Sequence, residues 1–268
     1  MKNQHDIIWL DRTDSTNDEA RRRISDLDNL SVLSARWQSS GRGQRGNVWS
    51  AAPGENLTFS VVMKFDGGQL PQTRAIDQFV ISEIAALSVV DLLSGYGIEA
   101  IIKWPNDIYV GNRKICGILI ENSLKGLMLS TSIVGIGLNV NQRVFDPSLP
   151  NPTSMALCLA EAHEKICLET LMERFIDIMK AYCTRYLNIT GGYVRLRKLY
   201  LAQLWRLDEP AEFLDKRTSG KSSDPSGTFR RFTGVIRGVS DPGNLLVEDC
   251  GSGRTIEFAF KEIGYVID

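Results

Sequence analysis

The 268-residue sequence predicts an α+β fold: a mixed, mostly antiparallel sheet with helices, followed by a small C-terminal β-barrel. Three observations lead there. Strand-like segments between Ile98 and Asn139 follow one another across turns as short as Gly111-Asn112, which suits antiparallel neighbours. Two long stretches, Gln72 to Leu93 and Leu168 to Leu187, carry apolar residues at helical spacing. After Leu207 the chain becomes short strands broken by Gly and Pro, FTGVIRGVSDPGNLLVEDCGSGRTIEFAF, the texture of a small barrel.

The elements follow in order. Thr16-x-x-Glu19 spells a capping box and opens a helix over Thr16 to Ile24. Ser31 to Trp37 reads as a strand, and Gln38 to Asn47 as a loop rich in Ser and Gly. Asn56 to Lys64 has the β-branched and aromatic content of a buried strand. In the helix over Gln72 to Leu93 the apolar face is Ile76, Phe79, Val80, Ile84, Leu87 and Val90, with Gly95 and Gly97 as stop signals. Strands are expected at Ile98 to Lys103, Asp107 to Val110, Lys114 to Glu121 and Leu127 to Asn139. Helices are expected at Thr153 to Glu161, Leu168 to Leu187 and Tyr193 to Trp205. Lys216 to Gly227 reads as an exposed loop inside the barrel, and the change of texture divides the chain into residues 1–203 and 204–268.

Composition narrows the function. With 31 basic and 32 acidic side chains the net charge is −1, so no global field favours nucleic acid or an anionic membrane. Any anion must be held locally. The five cysteines show no CxxC pairing and no His–Cys cluster, which argues against a disulfide framework or a zinc site. The first residues lack the pattern of a signal peptide, and no apolar run reaches membrane-spanning length, so a cytoplasmic protein is expected.

Four stretches carry chemistry. In QSSGRGQRGNVW (Gln38 to Trp49), Gly41, Gly43 and Gly46 let backbone N–H groups converge, while Arg42 and Arg45 add guanidinium forks suited to phosphate or carboxylate. KWPND (Lys103 to Asp107) sets a cation, an amide and a carboxylate at a strand end, stiffened by proline. RKICGILIE (Arg113 to Glu121) carries Lys114 into an otherwise apolar strand, at the edge of a buried pocket. In GIGLNVN (Gly135 to Asn141), glycines within a strand announce close approach of a ligand or another backbone.

Together with DSTN (Asp14 to Asn17), these motifs in this order closely resemble the biotin–protein ligases, relatives of the class II aminoacyl-tRNA synthetases and lipoate ligases. The resemblance covers most of Ile7 to Asn141 and continues more weakly into an SH3-like C-terminal barrel. It implies that Ser15, Thr16, Asn17, Gln38, Gly41, Arg42, Gly43, Lys114 and Gly117 line the biotin site. By the same resemblance Arg45, Trp49, Lys103, Asn106, Asp107 and Asn139 face the nucleotide, and Arg42, Lys103 and Lys114 are the catalytic cations. Glu262 falls where the barrel approaches the active site. ATP and biotin would be substrates and Mg²⁺ the cofactor, with its ligands unassigned. The partner would be a biotin carboxyl carrier protein or domain of a carboxylase. A homodimer and a monomer both stay open, and Gly126 to Val134 is a candidate edge strand for β-addition of the acceptor.

The chemistry of adenylation fits this inventory. A carboxylate must meet a triphosphate, and cations offset their repulsion; one such contact in a dry site is worth roughly 3–4 kcal/mol of barrier. No covalent enzyme intermediate is needed, so Cys116, His5 and His163 are expected to be bystanders. Two departures from the family pattern stand out. Gln44 occupies a position that often holds arginine, which predicts greater leakage of the adenylate. DSTN begins fourteen residues in, which predicts an enzyme without a DNA-binding domain. A lipoate ligase of the same fold and a non-catalytic biotin sensor are the alternative readings.

Overall fold

The strand LTFSVVMK shows how the molecule is layered. It alternates Leu57, Phe59, Val61 and Met63 with Thr58, Ser60 and Val62, yet nearly every position is buried. A strand can be buried on both faces only where both are covered. On one side Phe59 meets Phe175 edge-on, with ring centroids 5.0 Å apart. On the other, Ser60 meets Thr16 and Asn17. The computed structural model that shows this describes residues 6–159, 164–217 and 229–266, and for Arg45 the backbone alone.

The first sheet contains β1 (Ile7–Leu10), β2 (Val32–Ala35), β3 (Leu57–Lys64), β4 (Ile101–Lys103), β5 (Asp107–Val110), β6 (Arg113–Lys125) and β7 (Met128–Leu138), in the order β1-β2-β3-β7-β6-β5-β4. Only β1 and β2 run parallel; the other pairs are antiparallel. The short helix α1 (Thr16–Arg22) covers one face. The long helices α2 (Phe79–Ser94), α4 (Leu168–Tyr182) and α5 (Gly192–Ala202) cover the other, with α3 (Met155–Cys158) a single turn between sheet and α4. Nearly all of α2 is buried, so it shows almost no polar face, whereas α4 is plainly amphipathic. No described helix is long and apolar enough to cross a membrane. The five cysteines are all free.

The second sheet holds β8 (Pro210–Asp215), β9 (Arg230–Val239), β10 (Leu245–Asp249), β11 (Arg254–Phe258) and β12 (Ile263–Tyr265), antiparallel in the order β11-β10-β9-β8-β12. This is the small C-terminal β unit that the Gly- and Pro-punctuated sequence predicts. It is tied to the first sheet rather than hung from it. Residues 203–205 pair with β4, Ile102 N–H donating to Gln203 O and Trp205 N–H to Ile102 O, both at 2.8 Å. The β9–β10 turn packs on α2, Gly243 against Phe79, and Trp104 Nε1, just after β4, donates to Gly243 O at 2.9 Å. Arg197 of α5 pairs with buried Glu83 of α2 and donates to Val239 O and Ser240 O at 2.8 and 3.0 Å. Burial raises the Glu83 carboxyl to about 7, against the pull of Arg197.

Several expectations need correction. Strand β7 lies inside the sheet, bonded to β3 from Thr131 to Leu138 and to β6 along its length, so it offers no free edge over Gly126 to Val134 for β-addition. The outermost strands are β1 and β4, and residues 203–205 already pair with β4. Helix α1 begins after Ser15, not with Thr16 as cap. Its first N–H groups go to Asp14 Oδ1 (from Ser15, 2.8 Å) and Gln38 Oε1 (from Thr16, 2.7 Å), while Glu19 binds Arg22 and Arg23. Helix α2 starts at Phe79 because Thr73 and Ala75 are drawn into hydrogen bonds with Leu129 and Leu127 at the β6–β7 hairpin. The helix expected over Thr153 to Glu161 is one turn, and residues 160–163 fall outside the described structure. The same holds for His5, His163 and most of the loop over Lys216 to Gly227.

Candidate active site

A trough runs across the middle of the first sheet, and its cause is a row of small residues. The registers place Thr58, Gly137 and Gly117 side by side on β3, β7 and β6, and Ser60, Gly135 and Leu119 in the next row. All lie on the α1 face, opposite the large core side chains Phe59, Ile136 and Ile118. A β-carbon at Gly135 would sit 2.3 Å from Asn17 Oδ1, and one at Gly137 would sit 2.2 Å from Trp49 Cε2. The strand glycines thus admit two side chains of this chain rather than another backbone. The trough is the floor of an open cavity of about 740 Å³, its solvent-filled mouth included.

Its inner end is polar and fixed. Ser15, Thr16 and Asn17 are all buried at the start of α1. Ser60 Oγ lies 2.6 Å from Asn17 Oδ1 and 2.8 Å from Thr16 Oγ1. A hydroxyl has one proton and an amide oxygen only accepts, so Ser60 donates to Asn17 and Thr16 donates to Ser60. Thr16 Oγ1 keeps its acceptor capacity for a ligand N–H. Asn17 Nδ2 donates to Glu121 Oε2 at 2.8 Å and Leu119 O at 3.3 Å.

The outer wall is the glycine–arginine loop. Gly43 N–H donates to Asn47 O at 2.7 Å and Trp49 N–H to Gly41 O at 2.9 Å, closing the loop on itself around a short turn at Gln44–Gly46. Arg42 stands at the mouth, paired with Asp18 at 2.6 Å and Glu121 at 2.9 Å; Arg21 shares both acids. Trp49 lays its indole over Gly117 and Gly137, with Nε1 buried and unpartnered. Arg45 is predicted at this loop, but its side chain falls outside the description.

A second open cavity of about 1070 Å³, its solvent-filled mouth included, adjoins the first, and Asn47, Val48, Trp49, Asp107 and Lys114 line both. At the junction Lys114 Nζ is 2.7 Å from Asp107 Oδ1 and 5.8 Å from the Trp49 ring centroid. The backbone of Lys114 is gripped on both sides, its N–H donating to Asn151 O and its carbonyl accepting from Thr153 N–H. Beyond the junction the wall is Tyr109, Phe145, Leu149, Pro150 and Asn139. Asn139 Nδ2 donates to Thr153 O at 2.9 Å, leaving Oδ1 buried with no partner. A buried acceptor left bare wants a donor, and the exocyclic amine of a purine is one.

Of the residues singled out in the sequence, Ser15, Thr16, Asn17, Gln38, Arg42, Gly43, Trp49, Asn106, Asp107, Lys114 and Gly117 line the first cavity, and Asn139 the second. Gly41 lies beneath it, against Gln38 and Trp49. Asn106 also clamps the turn, donating through Nδ2 to Ile118 O and accepting Ile118 N–H at its own carbonyl. Lys103 lines neither cavity; its ammonium is enclosed by aromatic rings. Glu262 turns inward on its own loop, its carboxylate accepting from Ala259 N–H at 2.9 Å, and it is Phe260 that reaches Trp104. Cys116 is fully buried, and burial pushes its thiol up, so it stays a thiol. Sequence reasoning missed Ser60, Asp18 and the wall of Phe145 and Leu149; Glu121 stood inside a quoted motif without a role.

Comparison with known proteins identifies the family. The model of the biotin/lipoate A/B protein ligase family matches residues 9–139. The chain is 30% identical over 259 residues to a biotin–acetyl-CoA-carboxylase ligase of Paracoccus denitrificans, covering 93% of this chain and 97% of that one. It is 32% identical over 261 residues to the enzyme of that name from Mycobacterium tuberculosis, covering 91% and 83%. The fold matches a biotin protein ligase from Aquifex aeolicus, solved in complex with biotin and ATP, with a TM-score of 0.73 at 22% identity and 98% of each chain covered.

Proposed function

This chain belongs to the biotin–protein ligase family, and from that premise we infer that it joins biotin to AMP and passes the biotinyl group to a lysine of a biotin carboxyl carrier domain. The observation that carries the reading is the pair of cavities meeting at Lys114, Asp107 and Trp49. One is lined by hydroxyls and amides and fits a ureido ring; the other offers apolar walls and the bare Asn139 oxygen and fits a purine. Their junction is where a carboxylate and an α-phosphate would meet.

In the first step a biotin carboxylate oxygen bonds to the α-phosphorus of ATP and the bond to pyrophosphate breaks. Lys114 sits where negative charge accumulates and offsets the repulsion between the two anions. Arg42 exchanges its carboxylate partners for the ligand's anionic groups as the loop folds over them. In the second step the neutral lysine amine attacks the acyl carbon, AMP leaves with the bonding electrons, and the amine proton passes to solvent. Ser15, Thr16, Asn17 and Gln38 hold the ring, and the buried Ser60 fixes the direction of the hydrogen bonds of Thr16 and Asn17.

The donor set fits a Mg²⁺ ion that arrives on the nucleotide. No cluster of three His, Cys, Asp or Glu is found among the described residues, and Mg²⁺ is commonly held by one carboxylate, waters and substrate phosphates. Asp107, paired here with Lys114, would be the carboxylate that holds it, and the ion would supply charge neutralisation at the phosphate oxygens. We propose the cytoplasm as its compartment, where ATP and a carboxylase carrier domain are both supplied. The test is ATP–pyrophosphate exchange with biotin or lipoate, followed by transfer to a carrier domain. Exchange with lipoate alone would move the chain to the sister activity, and biotin binding without exchange would leave a sensor.

A further inference from the structure

Lys103 ends β4, one residue before Trp104, and its ammonium points into a cage of three rings. Nζ lies 4.8 Å from the centroid of Tyr109, 5.1 Å from Tyr265 and 5.9 Å from Trp205. It also donates to the Tyr109 hydroxyl at 3.3 Å. The rings stack on one another: Tyr109 on Trp205 at 5.8 Å, and Trp205 on Tyr265 at 5.5 Å. The carboxylate opposite Lys103 in the β4–β5 register, Asp107, is already engaged by Lys114 at 2.7 Å.

The three rings come from three parts of the chain. Tyr109 belongs to β5 and forms part of the second cavity's wall. Trp205 lies in the segment that leaves α5 and pairs with β4, and Tyr265 is the last residue of β12. A cation among ring faces is attracted to each of them, most strongly where water is excluded. Burial lowers the pKa of this ammonium, with nearby Asp107 opposing the shift, so the attraction of the rings works against the cost of desolvation.

We propose that Lys103 is a positioning residue: it pins β12 and the segment at 203–207 onto Tyr109, and thereby sets the wall against which the nucleotide lies. The role given to it departs from that of a cation touching phosphate. It rests on the ligase reading for the identity of the ligand, but the cage exists without one. The C-terminal unit would then contribute to nucleotide binding through Tyr265, without itself lining the second cavity.

Two measurements on the full chain test this. In the ligand-free protein, hydrogen exchange compares wild type with Lys103→Met, which keeps the aliphatic stem and removes the charge. The pin predicts exchange about tenfold faster at residues 203–207 and 263–266 with α4 unchanged, and equal rates would overturn it whatever the protein's activity. Exchange kinetics with biotin then separate the two roles. Lys103→Met and Tyr265→Leu should each raise the KM for ATP about tenfold with kcat within about threefold, the double variant should be no worse than either single, and Lys103→Arg should restore wild-type KM. A fall of a hundredfold in kcat for Lys103→Met, with Tyr265→Leu silent, would make Lys103 a direct phosphate contact. Biotin affinity checks that each variant is folded; if Tyr265→Leu fails it, the Lys103→Met and Lys103→Arg pair still decides. Wild type that exchanges hydrogen as predicted but shows no pyrophosphate exchange would sink the ligase reading and leave the pin standing.

Discussion

The cavity has two walls of opposite character. The sheet wall is a row of glycines and small polar residues on three hydrogen-bonded strands, with Asn17 and Thr16 wired to buried Ser60. The loop wall, Gly41 to Trp49, bonds mainly to itself, and its Arg42 stands partly in solvent on two carboxylates. A wall that cannot rearrange selects its ligand by shape and hydrogen bonding; a wall that can trade partners retains what has been made. The division predicts that sheet-wall changes strike binding and turnover together, while loop-wall changes strike retention of the adenylate.

Lys114, where the walls meet, carries the largest expected effect. Lys114→Ala should lower the rate of biotin-dependent pyrophosphate exchange by about 10²–10³-fold with the fold intact, as for loss of one charge-stabilising donor. A loss under tenfold would mean that the junction is not where the carboxylate meets phosphate. On the sheet wall, Gly135→Ala must push a methyl group into Asn17, whose Oδ1 would lie 2.3 Å from it. Calorimetric titration should show biotin affinity down by at least about thirtyfold, since a bidentate polar contact is lost and a buried amide left unpaired. Unchanged affinity would break the comparison. On the loop wall, Arg42→Ala should leave biotin affinity within about threefold and speed release of biotinyl-AMP about tenfold, read by filter retention of labelled intermediate. Gln44→Arg should act the other way and less strongly, slowing release about threefold by adding a cation at the mouth; equal rates would show that position 44 does not touch the retained anion.

A change behind both walls serves as the control. Glu83 is raised by burial to about 7 from an ordinary 4.5, so the folded protein favours the proton more than the unfolded chain does. The stability this contributes is fully present below pH 4.5 and is lost as pH rises through 7. Glu83→Gln, neutral throughout, should abolish that loss. Melting temperature at pH 5 and pH 8 measures it, and a wild type that loses no more than the variant over this range would contradict the assignment. Pyrophosphate exchange should stay within about twofold.

What was legible in the sequence follows the same division. The loop, the KWPND turn, Lys114 and the strand glycines announced themselves because each is local: a spacing of Gly, Pro and charge within a few residues. Ser60, Asp18 and Glu121 act across 24 to 104 positions of sequence, and nothing near them marks them. The cage of Lys103 is remoter still, assembled from residues 109, 205 and 265. The misplaced edge strand has a related origin. Strand order in the sheet is not chain order, and β7 enters between β3 and β6, so alternation along its sequence cannot reveal that both its sides are paired. The capping box failed because Gln38, a neighbour only in space, supplies the acceptor for the Thr16 N–H that Glu19 was expected to provide.

Trp49 has a consequence for experiment. Of the five tryptophans it is the one on the wall of both cavities, with an unpartnered indole N–H and a lysine cation close to its ring. Its excited-state emission responds to both, and a ligand that fills the junction must change both at once. The protein therefore carries a built-in optical probe, and the other four indoles supply its constant background. Stopped-flow emission, with Trp49→Phe as the blank, would time the arrival of biotin and the closing of the loop as separate phases within one trace.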